Sequence, residues 1–110
     1  MKRLVPLLLI VIPTLLPASP RAHKVRAVVT AYSSSPPHMT ASGAHPHDGV
    51  VACPRRYPFG TKVLIYDRSY ECLDRLGRKH DNNHFDIWMP AKAAAKKFGK
   101  RRILVSVVEP

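Results

Sequence analysis

The stretch Asn83-His84-Phe85-Asp86-Ile87-Trp88 sets an acidic residue inside a short apolar strand. Acids are rare in such runs, because burying a carboxylate without a partner is costly. A second acid, Asp74, follows the strand-like pair Cys72-Leu73. Two carboxylates in semi-apolar settings indicate a functional site. For Asp86 the alternative is a structural acid, hydrogen-bonded to backbone and pinning the fold.

The N-terminus is typical of a secretory signal peptide. Met1-Lys2-Arg3 is positively charged, Leu4 to Leu16 is almost wholly apolar, and residues 17–22 are small and turn-rich. The apolar run is shorter than the roughly 20 residues that span a bilayer. We therefore predict a signal peptide over residues 1–22, with no clear cleavage site, and a mature domain over residues 23–110. An uncleaved anchor is the alternative. After removal of the signal, no stable membrane insertion is expected.

The two cysteines, Cys53 and Cys72, both belong to the mature part. In an exported protein an even number of cysteines favours a disulfide, which here would stabilise the fold by about 3 kcal/mol. A catalytic thiol with a histidine partner and a pair of free buried thiols are the alternatives.

The chain is strongly basic. Its net charge of +11 falls by three, to +8, when Lys2, Arg3 and Arg21 leave with the signal peptide. Such charge favours anionic polymers. For an exported protein we predict anionic polymers of the cell envelope and no nucleic acid. A solvated basic surface that aids solubility is the alternative.

The hydrophobic pattern predicts six short strands and one short helix. The strands are expected at Lys24–Tyr32, Gly49–Cys53, Thr61–Tyr66, Tyr70–Leu73, His84–Met89 and Ile103–Val108, and the helix at Ala91–Gly99. Pro90 is expected at the first helical position and Gly99 at the stop. Because closure removes edge strands that a tiny sheet could not protect, a mainly β fold, a small barrel, is predicted.

Several motifs share the order and spacing of a known family. They are Val29-Thr30-Ala31-Tyr32, Thr40-Ala41-Ser42-Gly43, Gly49-Val50-Val51-Ala52, Pro58-Phe59-Gly60-Thr61-Lys62-Val63, Asp74 and Asn83-His84-Phe85-Asp86-Ile87. Together they resemble the three-aspartate (3D) domain, the catalytic core of membrane-bound lytic transglycosylase A. The helix and last strand are also similar to those of rare lipoprotein A. The resemblance covers about residues 25–108.

The resemblance implies a six-stranded double-psi β-barrel that acts on peptidoglycan. Asp86 takes the position of the catalytic acid, and Asp74 that of the family's middle aspartate, a supporting group. Cys53 occupies the position of the family's first aspartate. A Cys53–Cys72 bond would be a structural substitute for that aspartate. Arg75-Leu76-Gly77-Arg78-Lys79-His80 replaces the family's glycine-rich loop.

Lytic transglycosylases cleave the bond between N-acetylmuramic acid and N-acetylglucosamine without water, so one carboxyl group can act as acid and then as base. To donate a proton near neutral pH, Asp86 needs a pKa raised by about two to three units. Phe85, Ile87 and Trp88 are expected to supply the apolar surroundings. Since alternate residues of a strand share a face, His84, Asp86 and Trp88 should point the same way.

Four residues are predicted to contact substrate. They are Thr40 and Ser42, from one of the matching motifs, together with His84 and Trp88. Trp88 could stack on a sugar ring, or instead fill the barrel.

No cofactor and no metal is predicted. A zinc site using His45, His47 and Asp48, or His80 and His84, with Cys53 is the alternative, but the first set lies in a proline-rich loop and no helix aligns the second. The sequence thus favours an exported lytic transglycosylase whose partners are peptidoglycan glycan strands. The runner-up is a non-catalytic glycan-binding barrel, and the third reading is an accessory protein that recruits a lytic enzyme.

Overall fold

A computed structural model describes residues 2–13, 21–34, 38–77 and 82–110. In these ranges the chain forms six strands and one helix. The elements are β1 (Arg21–Tyr32), β2 (Val50–Cys53), β3 (Lys62–Ile65), β4 (Arg68–Arg75), β5 (His84–Trp88), α1 (Lys92–Phe98) and β6 (Arg101–Glu109). All seven overlap the segments that the sequence pattern predicts.

The strands close into a mixed barrel in the order β1-β5-β2-β4-β3-β6. The pairs β1–β5 and β2–β4 are parallel, and the other four pairs are antiparallel. Closure leaves no strand edge in this sheet unpaired. The predicted mainly β barrel with one short helix is therefore confirmed.

Alternation along the strands separates the barrel interior from its outer face. In β5, Phe85 and Ile87 are buried while His84, Asp86 and Trp88 are half-buried. In β6, Val105 and Val107 are buried in the same way. The interior is filled mostly by branched and aromatic side chains: Val29, Val51, Tyr57, Val63, Ile65, Phe85, Ile87, Val105 and Val107. These side chains make one continuous core and leave alternate positions to the outer face.

The turn between β3 and β4 is shorter than predicted. Ile65 pairs with Arg68, so the connection is the two residues Tyr66 and Asp67 rather than Asp67-Arg68-Ser69. Tyr66, predicted to end the strand, has a positive φ of 47°. This tight reversal needs a left-handed residue, a requirement that the strand pattern does not reveal.

The helix begins later than predicted. Ala91, in an extended conformation, is the N-cap residue, so Pro90 precedes α1 instead of starting it. Gly99 ends the helix as predicted, with a φ of 68° and its N–H bonded to the carbonyl of Ala95. Ala95 is buried and Phe98 packs against the barrel core.

Cys53 and Cys72 form a disulfide across the parallel strands β2 and β4. Their Cα atoms are 5.7 Å apart, and neither side chain is exposed. No free cysteine remains. The predicted disulfide is confirmed, and the catalytic-thiol and free-thiol readings are wrong, because both sulfur atoms are used in the core.

The predicted leader is described only in part. Residues 2–13 form neither helix nor strand and their side chains are exposed. Among the described residues, no helix is long and apolar enough to cross a membrane. Residues 14–20, which include part of the predicted cleavage region, lie outside the described residues. Arg21 and Ala22 already belong to β1, paired with Glu109 and Val108, so the predicted boundary after residue 22 falls within a strand.

Candidate functional site

The two predicted carboxylates lie in one row across four neighbouring strands. Ala52 on β2 pairs with Asp74 on β4 and, on its other side, with Asp86 on β5. Asp86 pairs in turn with Thr30 on β1. We call Asp74, Ala52, Asp86 and Thr30 the acid row. Since neighbouring strands are about 4.8 Å apart, the backbones of the two aspartates are separated by about 10 Å. The small Ala52 side chain lies between them.

A β-bulge in β4 brings Asp74 to the outer face. Val51 pairs with Cys72, but the next residue, Ala52, pairs with Asp74, so Leu73 is the extra residue. Simple alternation would place Asp74 on the same side as Cys72, inside the barrel. The bulge reverses that assignment and re-aims the carboxylate toward the same face as Asp86.

Asp74 accepts hydrogen bonds at both carboxylate oxygens. The Tyr32 hydroxyl donates to Oδ2 at 2.6 Å, and the backbone N–H groups of Ala41 and Arg75 donate to Oδ1, each at 2.9 Å. The carbonyl of the bulged Leu73 also accepts the N–H of Ser42 at 3.0 Å. Asp74 and the bulge therefore hold the loop at residues 40–44 against β4.

Tyr32 lies close to both acids. Burial, the hydrogen bond to Asp74, and the negative charges of Asp74 and Asp86 all raise the pKa of the Tyr32 phenol above its ordinary value of 10. Burial would deprive the phenolate of hydration, the hydrogen bond to Asp74 needs the phenol proton, and the two carboxylates would repel the phenolate charge. Tyr32 consequently remains a neutral hydrogen-bond donor at physiological pH.

Thr30 links Asp86 to His84. Its hydroxyl donates to Asp86 Oδ1 at 2.8 Å, and Thr30 Oγ1 is 2.7 Å from His84 Nε2. A hydroxyl group has one proton to donate. With that proton directed at Asp86, Oγ1 accepts from His84 Nε2–H, so Nε2 of the imidazole carries a proton. The three side chains form a chain of two hydrogen bonds, which begins within the acid row at Asp86 and Thr30 and extends to His84.

The predicted substrate contacts Thr40 and Ser42 lie in the loop held by Asp74. Thr40 is buried, and its hydroxyl contacts Ser42 Oγ at 2.9 Å and donates to the carbonyl of Ala44 at 2.9 Å. Ser42 is exposed and also accepts the Ala44 N–H at 3.4 Å. The Thr40 hydroxyl thus shapes the loop, and a contact of either residue with substrate stays a prediction.

Trp88 lies on the outer face and does not fill the barrel. It pairs with Tyr32 in the register of β1 and β5, and its indole Nε1 donates to Ser34 Oγ at 3.5 Å. Because paired residues share a face, these two half-buried aromatic side chains are neighbours next to the acid row. Stacking of Trp88 on a sugar stays a prediction.

The surroundings of Asp86 differ from those expected from the sequence. Phe85 and Ile87 point into the core, on the face opposite to Asp86. Adjacent residues of a strand cannot share a face, so these two cannot cover the carboxyl group directly. Side chains that shield the Asp86 carboxyl group from water must lie on the same side of the sheet as Asp86, where Thr30 and Tyr32 lie.

The metal alternative finds little support in the described residues. They contain no group of three or more His, Cys, Asp and Glu side chains placed to hold a metal ion. His47 Nδ1 lies 2.9 Å from the His45 carbonyl oxygen, and Cys53 is committed to its disulfide. His80 lies outside the described residues.

Sequence reasoning assigned no role to Thr30 and Tyr32, although both belong to one of the recognised motifs. The signal that could have found them is spacing. Residues 30 and 32 share the outer face of β1, because they alternate with the buried Ala27 and Val29. Their partners on β5 and β4 become visible only with the strand order.

Compared with known proteins, the chain matches no family model, and no curated protein matches it. The function is therefore inferred from the residues of the acid row and their neighbours.

Proposed function

We propose that this protein is an exported, peptidoglycan-active lytic transglycosylase with Asp86 as its acid/base group. The single observation that carries the proposal is the setting of Asp86, a half-buried carboxylate on the barrel surface that accepts the Thr30 hydroxyl at 2.8 Å. Asp86 lies on the same face of the sheet as two half-buried aromatic side chains, Tyr32 and Trp88. We further propose that the barrel is of the double-psi type, which its two parallel pairs among six strands support.

In the proposed reaction Asp86 first donates its proton to the oxygen between N-acetylmuramic acid and N-acetylglucosamine. The bond from that oxygen to muramoyl C1 breaks as an oxocarbenium-like state develops. Asp86, now a carboxylate, takes the proton of the muramoyl 6-hydroxyl. O6 then bonds to C1 and closes a 1,6-anhydro ring. The proton returns to Asp86, and no water is consumed.

The neighbours of Asp86 have supporting roles in this proposal. Thr30 orients the carboxyl group by donating to Oδ1, and His84 orients Thr30 in turn. Tyr32 stays protonated and donates to Asp74, whose two oxygens are both used as acceptors. Asp74 is therefore a positioning residue that holds Tyr32 and the loop at residues 40–44, while one carboxyl group, Asp86, performs the proton transfers.

The proposed partners are peptidoglycan glycan strands and other anionic polymers of the cell envelope. Net positive charge of the whole chain supports attraction to such polymers. The buried Cys53–Cys72 disulfide supports an oxidising compartment outside the cytoplasm, whether periplasmic or extracellular. The apolar N-terminal run supports export.

A glycan-binding barrel without catalysis is the second candidate. The pairing of Tyr32 with Trp88 next to the acid row favours it, because such a platform can stack on sugar rings. In that case Asp86 and Asp74 would accept hydrogen bonds from sugar hydroxyls, and no bond would break.

Digestion of purified peptidoglycan separates the two candidates. The protein is incubated with wall sacculi, and the soluble products are examined by mass spectrometry for anhydro-muropeptides. Asp86→Asn keeps the size of the side chain but cannot transfer the proton. Asp67→Asn, the same change at an exposed carboxylate in the turn between β3 and β4, is the matched control. The proposal expects anhydro products from wild type and control and none from Asp86→Asn. Wild type that pellets with the wall and releases nothing would establish the binding function instead.

A further inference from the structure

A second site lies at the N-terminal end of β5, next to the acid row. A cavity of about 410 Å³ is lined there by three arginines, Arg26, Arg56 and Arg102, and by two asparagines, Asn82 and Asn83. Ala27, Val28 and Ile103 complete the lining. We call this cavity the arginine pocket. No carboxylate of the described residues lines it.

Three separate segments bring the arginines together. Arg26 belongs to β1, and Arg102 belongs to β6, where it pairs with Val28. Arg56 comes from the turn that follows β2, and its guanidinium carbon lies 5.0 Å from the centre of the Tyr57 ring. A guanidinium that stacks through its face keeps its N–H groups, which lie in the plane, available to an acceptor.

The asparagines add donors to the same space. Asn83 Oδ1 accepts the Tyr57 hydroxyl at 3.3 Å, so its amide NH₂ is the part of the side chain left to donate to a ligand. Among the described residues, Lys62 forms an ion pair with Glu71, and none of the three arginines of the pocket pairs with a carboxylate. The three exposed guanidinium groups line one cavity, so an anion bound there would be surrounded by three positive charges.

We propose that the arginine pocket binds an oxyanion, a phosphate or carboxylate group carried by an acidic polymer. Planar guanidinium groups bind both kinds of oxyanion through paired N–H donors, which makes them the preferred cations for this task. The apolar Val28 and Ile103 provide a surface for the part of the ligand that carries the charged group.

The pocket is close enough to the acid row to hold another part of the same ligand. Val28 pairs with His84, and Thr30 and Asp86 follow two residues later on the same two strands. Two residues of a strand cover about 6.6 Å, so one repeat of a glycan polymer could reach both sites. Anion binding itself is independent of catalysis, whereas the use of the pocket as a subsite rests on the proposed function.

Binding measurements with charge-matched probes test the proposal. Titration calorimetry on the full chain, with its disulfide intact, uses oligomers of glycerol phosphate in one arm and oligomers of glutamate in the other. Stronger binding of the glycerol phosphate oligomers would identify a phosphodiester as the ligand group, and stronger binding of the glutamate oligomers would identify a carboxylate. Equal binding would indicate a site that accepts either oxyanion. Absence of binding by both probes at physiological salt would overturn the proposal.

Variants distinguish a built pocket from diffuse positive charge. Arg26→Gln, Arg56→Gln and Arg102→Gln should each weaken binding on the order of tenfold, the effect of losing one charge-assisted hydrogen bond. The matched control removes three exposed charges of α1 that do not line the cavity, by Lys92→Gln, Lys96→Gln and Lys97→Gln. It should change affinity by about twofold, because salt screens surface charges that do not contact the ligand. A further variant combines the three arginine substitutions. If it lost no more affinity than the variant with three lysine substitutions, that result would contradict a specific site.

Asp86→Asn separates this proposal from the enzymatic one. The variant should bind the better probe as tightly as wild type, although it is expected to release no anhydro products. Amide shifts of Val28, Asn83 and Ile103 on addition of the probe locate the ligand. Shifts confined to α1 would place the anion elsewhere and refute the pocket.

Discussion

Replacement of Thr30 by Val removes the hydroxyl that joins Asp86 to His84 while keeping a β-branched side chain of similar size. Two contacts are lost, one of 2.8 Å to Asp86 Oδ1 and one of 2.7 Å to His84 Nε2. A hydrogen bond to a charged group contributes about 1.5–3 kcal/mol and a neutral one about 0.5–1.5 kcal/mol. Because these side chains are half-buried, water replaces part of the loss. We expect the free energy of unfolding to fall by about 1–2 kcal/mol.

Urea unfolding of four proteins measures this coupling: wild type, Thr30→Val, Asp86→Ala and the double variant. Residues that share a hydrogen bond should give an interaction free energy of about 1 kcal/mol, since the second substitution removes a bond that is already broken. Thr30→Ser is the matched control, because it retains the hydroxyl, and should remain close to wild type. Additive effects, within about 0.3 kcal/mol, would refute the claim that Thr30 holds Asp86.

Three other properties follow from the contacts. Replacing Cys53 and Cys72 together by Ala should lower the free energy of unfolding by about 3 kcal/mol or more. The disulfide closes a loop across 19 positions, and both side chains are fully buried. A loss under about 1 kcal/mol in urea unfolding would contradict this prediction. The raised pKa of Tyr32 means that the folded state holds the phenol proton more tightly than the unfolded state does. The stabilising contribution of this proton is therefore complete below pH 10, the ordinary pKa of tyrosine, and is lost as the pH rises further. Wild type should lose up to about 1.4 kcal/mol per pH unit relative to Tyr32→Phe, reduced by solvent screening, and parallel pH profiles of the two proteins would refute this. Asp74→Ala should speed hydrogen exchange of the Ala41 amide at least about tenfold, because that N–H loses its acceptor, and unchanged exchange would show that the loop is held by other contacts.

The strand β5 could be predicted because it carries the alternation that is typical of a half-buried strand. Phe85 and Ile87 alternate with His84, Asp86 and Trp88, and the structure places the two sets on opposite faces as the pattern indicates. The same rule shows why the expectation that Phe85 and Ile87 surround the Asp86 carboxyl group was wrong. Phe85 and Ile87 are next to Asp86 in sequence and for that reason lie on the other side of the sheet.

The composition of the site could not be predicted because it depends on strand order and on one irregularity. Thr30 meets Asp86 since β1 and β5 pair in parallel, although they are far apart in the chain. Asp74 faces outward because of the bulge at Leu73, and no local pattern in that segment signals the extra residue. The arginine pocket likewise joins β1, β6 and the turn after β2.

The central claim is that Asp86 cleaves the glycan without water, and digestion of peptidoglycan in heavy-oxygen water tests it most directly. The account predicts muropeptides that are lighter by one water than hydrolysis products and carry no heavy oxygen at the cleaved sugar, with none formed by Asp86→Asn. Heavy oxygen at the new reducing end, or the same products from Asp86→Asn, would contradict the account.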